Sequence, residues 1–401
     1  MSLRWAAICV MVFASALNYL DRQLLAAAGP TIRTEFGLSN REFGVIISVF
    51  SIVYACSAPL AGYLIDRIGL ARGMAYAVGA WSLAGLSTGL SNSFFGLLAS
   101  RAALGVAEGA AQPGNGKANA TYLQPKELAL GTAFSQLGLS LGLLGAPLVV
   151  AFLGPRYGWR SAFMVSGALG FLWIPIWLWV SKRAPRNADS VRRSTESIVS
   201  LLRDRRLWGL IVGNMLLMSL YSLWSNWTTL YFVEARGLTQ TQANQEFAWI
   251  PPVFATLGAF AGGALAFRFI GAGMKVLDAR IRICGIGALV ALITAAIPWM
   301  PSSIWAAGAI SVSFFSVMAI STNVYAMPID FFGAHRAALG VAAITSGYGL
   351  MQTVASLAIG EMVDRFGFNT VCVSFAFLPA LGVLVLILTC TTETPRATST
   401  V

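Results

Sequence analysis

Apolar runs of about 20 residues alternate along the whole chain with short breaks rich in charged residues, Pro and Gly. A run of that length crosses a bilayer as a helix, because backbone polar groups must be satisfied internally in lipid. The pattern predicts twelve transmembrane helices. Their approximate centres are Ala16, Val53, Ser82, Leu104, Leu141, Phe171, Leu220, Thr256, Leu289, Ile310, Met351 and Leu381.

The composition supports an all-α membrane protein. Of the 401 residues, 57% are hydrophobic and only 11% are charged, whereas a soluble domain has about 45–50% apolar and about 25% charged residues. The five cysteines all fall in predicted spans without metal-ligand spacing. We therefore expect no disulfide framework, no metal site and no cofactor other than protons as coupling ions.

The basic residues orient the predicted helices. Most Lys and Arg residues fall in loops that lie inside when the N-terminus is cytoplasmic, and this bias predicts that both termini are cytoplasmic. The net charge of +11 follows from the same bias, so a contact of the middle loop with the inner leaflet is favoured over nucleic-acid binding. The basic residues in predicted outer loops are Arg33, Arg41, Arg156, Arg160, Arg236 and Arg365.

The chain divides into two halves that resemble each other. A polar stretch at 182–206 separates a predicted N-terminal six-helix bundle, 1–181, from a C-terminal one, 207–401. Residues 126–158 align without gaps with 335–367, and the pairs Arg156/Arg365 and Gly158/Gly367 close the alignment. Two pseudo-symmetric bundles of this kind place a substrate site between them, near the middle of the bilayer.

Two motifs resemble a known family. The stretch GYLIDRIGLAR (62–72) is similar to the inner-loop signature of the major facilitator superfamily through Gly62, Asp66, Arg67, Gly69 and Arg72. LNYLDR (17–22) together with SRAALGVAEGAAQPG (100–114) resembles the anion:cation symporter branch of that superfamily, which includes bacterial sugar-acid permeases. The resemblance implies a proton-coupled carrier in the plasma (inner) membrane, with Asp66, Arg67 and Arg72 in cytoplasmic gating.

Four charged residues fall inside predicted spans: Asp21, Arg22, Arg101 and Glu108. Each costs ~2.5–3.5 kcal/mol at a helix centre unless it is hydrated or paired, so such charges are functional candidates. Asp21 and Glu108 are the candidates for proton coupling, and Arg22 and Arg101 for binding a carboxylate, because Arg stays charged and binds carboxylates bidentately. The alternative is a fixed Asp–Arg lock between helices 1 and 4.

Further polar and aromatic residues in the spans are candidates to complete the pocket. In helix 1, Asn18, Asp21 and Arg22 form one polar stripe by spacing, with Tyr19 at its edge. Each of the other candidates could equally serve helix packing or an interfacial belt. These candidates are Tyr54, Gln136, Tyr221, Trp224, Asn226, Asn323, Thr345, Tyr348 and Gln352.

These observations favour a secondary transporter, expected to be monomeric, that moves small organic anions with protons across the lipid bilayer. Sugar acids such as galactonate or hexuronates are the leading substrates by resemblance; monocarboxylates, dicarboxylates and aromatic acids remain alternatives. An anion exchanger or a drug-type exporter of the same superfamily is the second hypothesis. A membrane enzyme or receptor is disfavoured, because the only histidine, His335, stands in a predicted inner loop and no catalytic motif is recognised.

Overall fold

The computed structural model is helical throughout the residues that it describes, which are 3–124, 127–185 and 201–390. The helices that contain Asp21 and Glu108 each end at a short break, and a further helix begins directly after it. The helices of the first half are α1 (Leu3–Ala27), α2 (Gly29–Phe36), α3 (Asn40–Ile68), α4 (Leu70–Gly89), α5 (Phe94–Glu108), α6 (Ala111–Tyr122), α7 (Leu128–Tyr157) and α8 (Arg160–Arg183).

The second half contains longer helices and one π-helical segment. Its longest helix, α14 (Ser303–Ala376), has non-helical backbone angles at Gly333 and Gly367, so it consists of three consecutive pieces. The elements are α9 (Arg205–Glu234), α10 (Gln240–Gln242), the π-helix (Ala243–Ala248), α11 (Ile250–Gly271), α12 (Val276–Ala291), α13 (Ile293–Ala296), a 3-10 turn (Ile297–Trp299), α14 (Ser303–Ala376) and α15 (Leu378–Cys390).

The chain is a multi-pass membrane protein. Among the described residues, 10 helical segments are long and apolar enough to cross a membrane. The last of them, Leu339–Cys390, has 52 residues, more than twice the ~20 that one crossing needs, and it is broken at Gly367. Each of the twelve predicted centres lies in a helix.

Glycines with positive φ angles stand at corresponding positions in loops of the two halves. Ser39 begins α3 with a capping box to Glu42, and Thr239 begins α10 with a capping box to Gln242, each two residues after such a glycine. Positive φ angles favour Gly, because it has no Cβ. The corresponding pairs are Gly37 and Gly237, Gly69 and Gly273, and Gly158 and Gly367.

The halves contact each other along α3 and the second piece of α14. Ser48 Oγ donates to the Thr353 carbonyl at 2.8 Å, and further along, a Cβ on Gly349 would lie 2.9 Å from the Ala55 side chain. Beyond Ala55, towards the predicted cytoplasmic end, many α3 side chains are exposed, including Tyr63 at 62%, although Ser57 and Ile65 remain buried. Exposure of α3 thus increases towards that end, as it would if the two helices separate there.

Ion pairs and capping interactions join the halves at the opposite end. Glu234 forms an ion pair with Arg33 and accepts a hydrogen bond from Asn40 Nδ2 at 3.2 Å. The Asp364 carboxylate accepts the backbone N–H groups of Asn40 at 3.0 Å and of Arg41 at 2.8 Å, at the first turn of α3. A carboxylate is favourable there, because a helix N-terminus carries unpaired N–H groups. We call these contacts the outer latch.

Most of the predicted linker, 186–200, and the C-terminal residues 391–401 lie outside the described ranges, so the domain boundaries remain a prediction. His335, predicted in a loop, lies instead within α14, two residues after the break at Gly333. The loop prediction was wrong because the chain resumes a helix directly after that glycine.

Candidate functional site

Glu108 stands at a break in the helix, near the middle of the candidate membrane span Phe94–Tyr122. Glu108 is the last residue of α5, and α6 resumes at Ala111. The neighbouring Gly109 has no room for a side chain against Ser57 of α3, whose hydroxyl donates to the Gly105 carbonyl at 2.9 Å. Helix α3 therefore packs directly on the turn that carries Glu108.

Glu108 forms a buried ion pair with Arg22 of α1. Arg22 Nη2 lies 3.1 Å from Glu108 Oε2, and the side chains are 10% and 0% exposed. Arg22 Nε and Glu108 Oε1 have no hydrogen-bond partner in the described part of the chain. Each group thus keeps hydrogen-bonding capacity that the pair does not use.

Three aromatic rings surround the Arg22 guanidinium. Its carbon lies 4.9 Å from the ring centre of Tyr19, 4.7 Å from that of Phe50 and 4.6 Å from that of Tyr54. Aromatic faces attract a cation without neutralising it. The box therefore stabilises the charge of Arg22 in addition to the carboxylate of Glu108.

Asp21 and Arg101 lie beside this pair, and the Asp21 carboxylate faces away from it. Asp21 is 1% exposed, and its carboxylate points towards Gly85 of α4, inside the first half. Arg101 Nη1 donates to the Asp21 carbonyl at 3.3 Å, and the guanidinium lies 5.4 Å from the Phe163 ring centre. The single polar stripe predicted for helix 1 is thus divided, because adjacent helical residues point about 100° apart.

A small cavity of about 10 Å³ lies between the two halves next to Arg22. Arg22 and Arg101 line it from the first half, and Asn226 and Gln352 line it from the second. Polar groups from both halves therefore converge on the guanidinium groups. The remaining lining residues are Leu25, Ala26, Ile47 and Phe50.

Two aromatic candidates of the second half pack together close to this cavity. The Tyr221 and Tyr348 ring centres lie 6.2 Å apart, and Tyr221 also packs on Phe314 at 5.0 Å. Tyr348 is on the same helix as Gln352, one turn away. The structure thus brings Tyr221, Tyr348 and Gln352 to the same region as Arg22.

Three other candidates are not among the residues that line the central cavity. Asn323 is fully buried and donates to the Gly262 and Ala319 carbonyls, so it joins α11 to α14. Thr345 donates to the Val341 carbonyl of its own helix at 2.9 Å. The Asn18 side chain is buried, and its Nδ2 has no hydrogen-bond partner among the described residues.

Gln136 is exposed on α7. It lies one turn before Ser140, whose hydroxyl accepts a hydrogen bond from Thr256 of the second half at 3.0 Å. By helical spacing Gln136 therefore faces the second half, on the side of Ser140 that is nearer the predicted cytoplasmic end. Its role in binding remains a prediction.

The predicted gating residues lie at the predicted cytoplasmic end of the first half. Asp66 forms an ion pair with Lys117, whose Nζ lies 2.7 Å from the carboxylate. The same ammonium donates a hydrogen bond to the Ile65 carbonyl at 3.0 Å. Arg67 and Arg72 are exposed. Lys117 belongs to the same half as Asp66, so the predicted contact of the gating residues with the second half remains a prediction.

Sequence reasoning missed the helix break after Glu108 and the outer latch. The residues AEGAAQPG (107–114) carry a signal for the break, since Gly and Pro interrupt helices. The latch had a signal in the opposite charges of predicted outer loops, with Arg33 in one half and Glu234 in the other. No local pattern identifies which outer charges meet across the halves.

The model of the Major Facilitator Superfamily matches residues 11–352 of this chain. The chain belongs to the major facilitator superfamily. Members of this superfamily are transporters, not enzymes. A solved bacterial homologue of the human lysosomal transporter Spinster, in an inward-facing and unoccupied conformation, has the same fold. Its TM-score is 0.80 at 18% identity, covering 96% of this chain and 95% of that one.

Several curated relatives are similar to this superfamily member along most of its length. The hexuronate transporter of Escherichia coli (strain K12) is 28% identical, covering 96% of this chain and 93% of the relative. The galacturonate transporter of Dickeya chrysanthemi is 30% identical, covering 67% of this chain and 82% of the relative. A probable L-galactonate transporter of Escherichia coli (strain K12) is 28% identical over 80% of this chain.

Proposed function

We propose that this protein is a proton-coupled symporter of small organic anions, with sugar acids as its substrates. The observation that carries the proposal is the buried ion pair between Arg22 and Glu108 inside an aromatic box. A proton on Glu108 removes the charge that holds Arg22. Arg22 then binds the carboxylate of the substrate instead, so proton and anion binding favour each other.

Sugar acids fit the groups around Arg22. Asn226 and Gln352 present neutral amides to the cavity from the second half, and such groups hydrogen-bond hydroxyls. The relatives named as hexuronate, galacturonate and galactonate transporters carry acids of this type. An acid rich in hydroxyl groups would thus engage Arg22 with one end and neutral groups with the other.

Alternating access is the proposed mechanism. The outer latch joins the halves at one end, while several α3 side chains beyond Ala55, including Tyr63, are exposed at the other, which supports an inward-facing arrangement. We further propose twelve spans, with the break at Gly367 separating two of them and α4 supplying one more. Both termini would then face the cytoplasm, and the protein would reside in the inner plasma membrane.

The test is uptake of labelled anions into proteoliposomes with and without an inward proton gradient. A panel of sugar acids, monocarboxylates and dicarboxylates covers the proposal and its alternatives. Accumulation of a sugar acid that requires the gradient is the expected result. Equal uptake without a gradient, or no uptake of any sugar acid, would contradict symport of this class.

Glu108→Gln sharpens the test, because it keeps the size of the side chain and removes the titrating group. We expect gradient-driven accumulation to be lost, while the folded fraction and anion exchange are retained. Glu127→Gln, which changes a carboxylate near the predicted cytoplasmic end, is the matched control. Equal uphill uptake by Glu108→Gln and the parent would rule out the proposed role of Glu108.

A further inference from the structure

A second cavity, of about 20 Å³, lies between the halves next to the Arg22 cavity. Ala26 of α1 lines both cavities. Gln23 and Leu143 line the second cavity from the first half, and Trp224 and Thr228 line it from the second. We call it the outer cavity, because it lies towards the outer latch from Arg22.

The outer cavity offers neutral hydrogen-bonding groups. The Trp224 indole is 2% exposed, and its N–H has no partner within the described ranges. Gln23 is 4% exposed and contributes an amide, while Ser225 and Thr229 add hydroxyls to that of Thr228. The described lining residues include no charged side chain. These groups suit hydroxyls rather than an ion.

A hydrogen-bond chain across the halves joins two residues that line this cavity, Thr229 and Ala27. Thr229 Oγ1 donates to Asn244 Oδ1 at 2.8 Å, and Asn244 Nδ2 donates to the Ala27 carbonyl at 2.9 Å. Asn244 belongs to the π-helix, an element often found at functional sites. Separation of the halves at the outer end breaks this chain and enlarges the cavity.

We infer that the outer cavity is a specificity subsite that binds the hydroxyl chain of a sugar acid entering from outside, with Trp224 as its main donor. The inference rests on the proposed function. Ala26, which lines both cavities, is one helical turn from Arg22, or about 6 Å along the axis, a length comparable with a six-carbon chain. A carboxylate at Arg22 thus places its distal hydroxyls beside Trp224.

The test compares two buried tryptophans, Trp224 and Trp227, of which only Trp224 lines the outer cavity. Trp224→Phe keeps a large ring and removes the N–H from the cavity. Trp227→Phe is the matched control, because the Trp227 indole N–H is also buried without a partner among described residues, but its ring packs on Phe43 and Phe368. Labelled galacturonate and its monodeoxy analogues are the probes, and KM for entry from the outer side is the readout.

We expect Trp224→Phe to raise KM for galacturonate by about fivefold or more, as loss of one donor to a neutral hydroxyl implies, with kcat within about twofold. One monodeoxy analogue should have a higher KM than galacturonate in the parent protein. Its KM should not rise further in Trp224→Phe, because the hydroxyl that Trp224 binds is already absent. Trp227→Phe should resemble the parent. Equal KM values for both variants, or an equal loss for every analogue, would overturn the inference.

Gln23→Leu provides a second variant if Trp224→Phe does not fold. It removes the amide from the opposite wall, and the same selective rise in KM is expected. Failure of the parent to transport any sugar acid would overturn the proposed function together with this inference. Gradient-driven uptake by the parent, with Gln23→Leu and Trp224→Phe both unchanged in KM, would overturn the inference alone.

Discussion

The two halves have matching helices but different chemistry at matching positions. α5 begins after Ser93 and α14 after Ser302, both in extended conformation. Counting from these residues, Arg101 and Glu108 correspond to Ile310 and Val317, and both of the latter are fully buried. The first half thus carries the intramembrane charges, and the second presents apolar packing at the same places.

On the proposed function, this difference assigns two tasks to the two halves of one duplicated fold. The first half holds the ion pair of Arg22 and Glu108 in an aromatic box. The second half contributes neutral groups, including Asn226 and Gln352, that reach the same cavity. Coupling chemistry needs charges that titrate or exchange partners, whereas recognition of hydroxyls needs only neutral donors and acceptors. Each task can therefore vary without changing the other half.

The strongest disruption of the charged half should come from Arg22→Lys. Lys keeps the charge but has neither the planar fork that binds a carboxylate bidentately nor the same stacking on aromatic rings. We expect kcat/KM for sugar-acid uptake to fall by about 100-fold, which corresponds to ~2.7 kcal/mol. Uptake kinetics in proteoliposomes measure the change, with Arg41→Lys at the exposed end of α3 as control. A loss below about threefold would contradict the assignment of Arg22 to carboxylate binding.

Placing a charge at the matching position of the second half should harm folding instead of transport chemistry. Val317→Glu introduces a carboxyl in a fully buried position, which costs ~2.5–3.5 kcal/mol at a helix centre. The melting temperature in detergent should fall clearly below that of Val317→Gln, which has a similar size and no charge. Equal melting temperatures for the two variants would show that the second half tolerates charge as well as the first.

The outer latch allows a test of how firmly the two halves are joined. Asp364→Asn replaces a carboxylate that accepts two backbone N–H groups of α3 with a neutral group that accepts more weakly. We expect the outward-open population to rise by about tenfold, which corresponds to a loss of ~1.4 kcal/mol from the free energy that keeps the outer end closed. Labelling of a cysteine introduced at Ala27, which is 2% exposed while the outer end is closed and lines the cavity between the halves, reports the opening. Asp330→Asn, which changes a carboxylate bound within the second half, is the control.

A smaller effect is expected from the neutral half. Gln352→Leu removes an amide from the central cavity and retains a similar size. KM for a sugar acid should rise by about fivefold, since one neutral hydrogen bond contributes ~1 kcal/mol, while proton dependence is unchanged. A loss of proton coupling in this variant would contradict the division of tasks between the halves.

Helix positions were more predictable than side-chain directions. Long apolar runs place every predicted centre in a helix, because length and hydropathy are local properties. Their location inside predicted spans also singled out four charged residues, of which the structure brings Arg22 and Glu108 to 3.1 Å. Spacing did not separate Asp21 from Arg22, since a stripe defined by spacing is wider than one side chain. The packing of α4 determines where Asp21 points.

Contacts between the halves were the least predictable part. The outer latch and the outer cavity depend on how two bundles meet, and distant residues such as Gln23 and Trp224 become neighbours only there. Asn323 illustrates the same limit, because a polar residue that joins two helices looks in sequence like one that faces a cavity. Periodicity does not distinguish these two environments.

On the proposed mechanism, the buried charges of the first half also determine how transport responds to membrane voltage. Asp21 and Glu108 balance Arg22 and Arg101, so the four groups together carry no net charge when the carboxylates are ionised. One proton entering with one monovalent anion leaves that balance unchanged, and transport is then electrically silent. A second proton makes the translocated unit positive, and a potential of 100 mV then contributes ~2.3 kcal/mol for each elementary charge moved across the membrane.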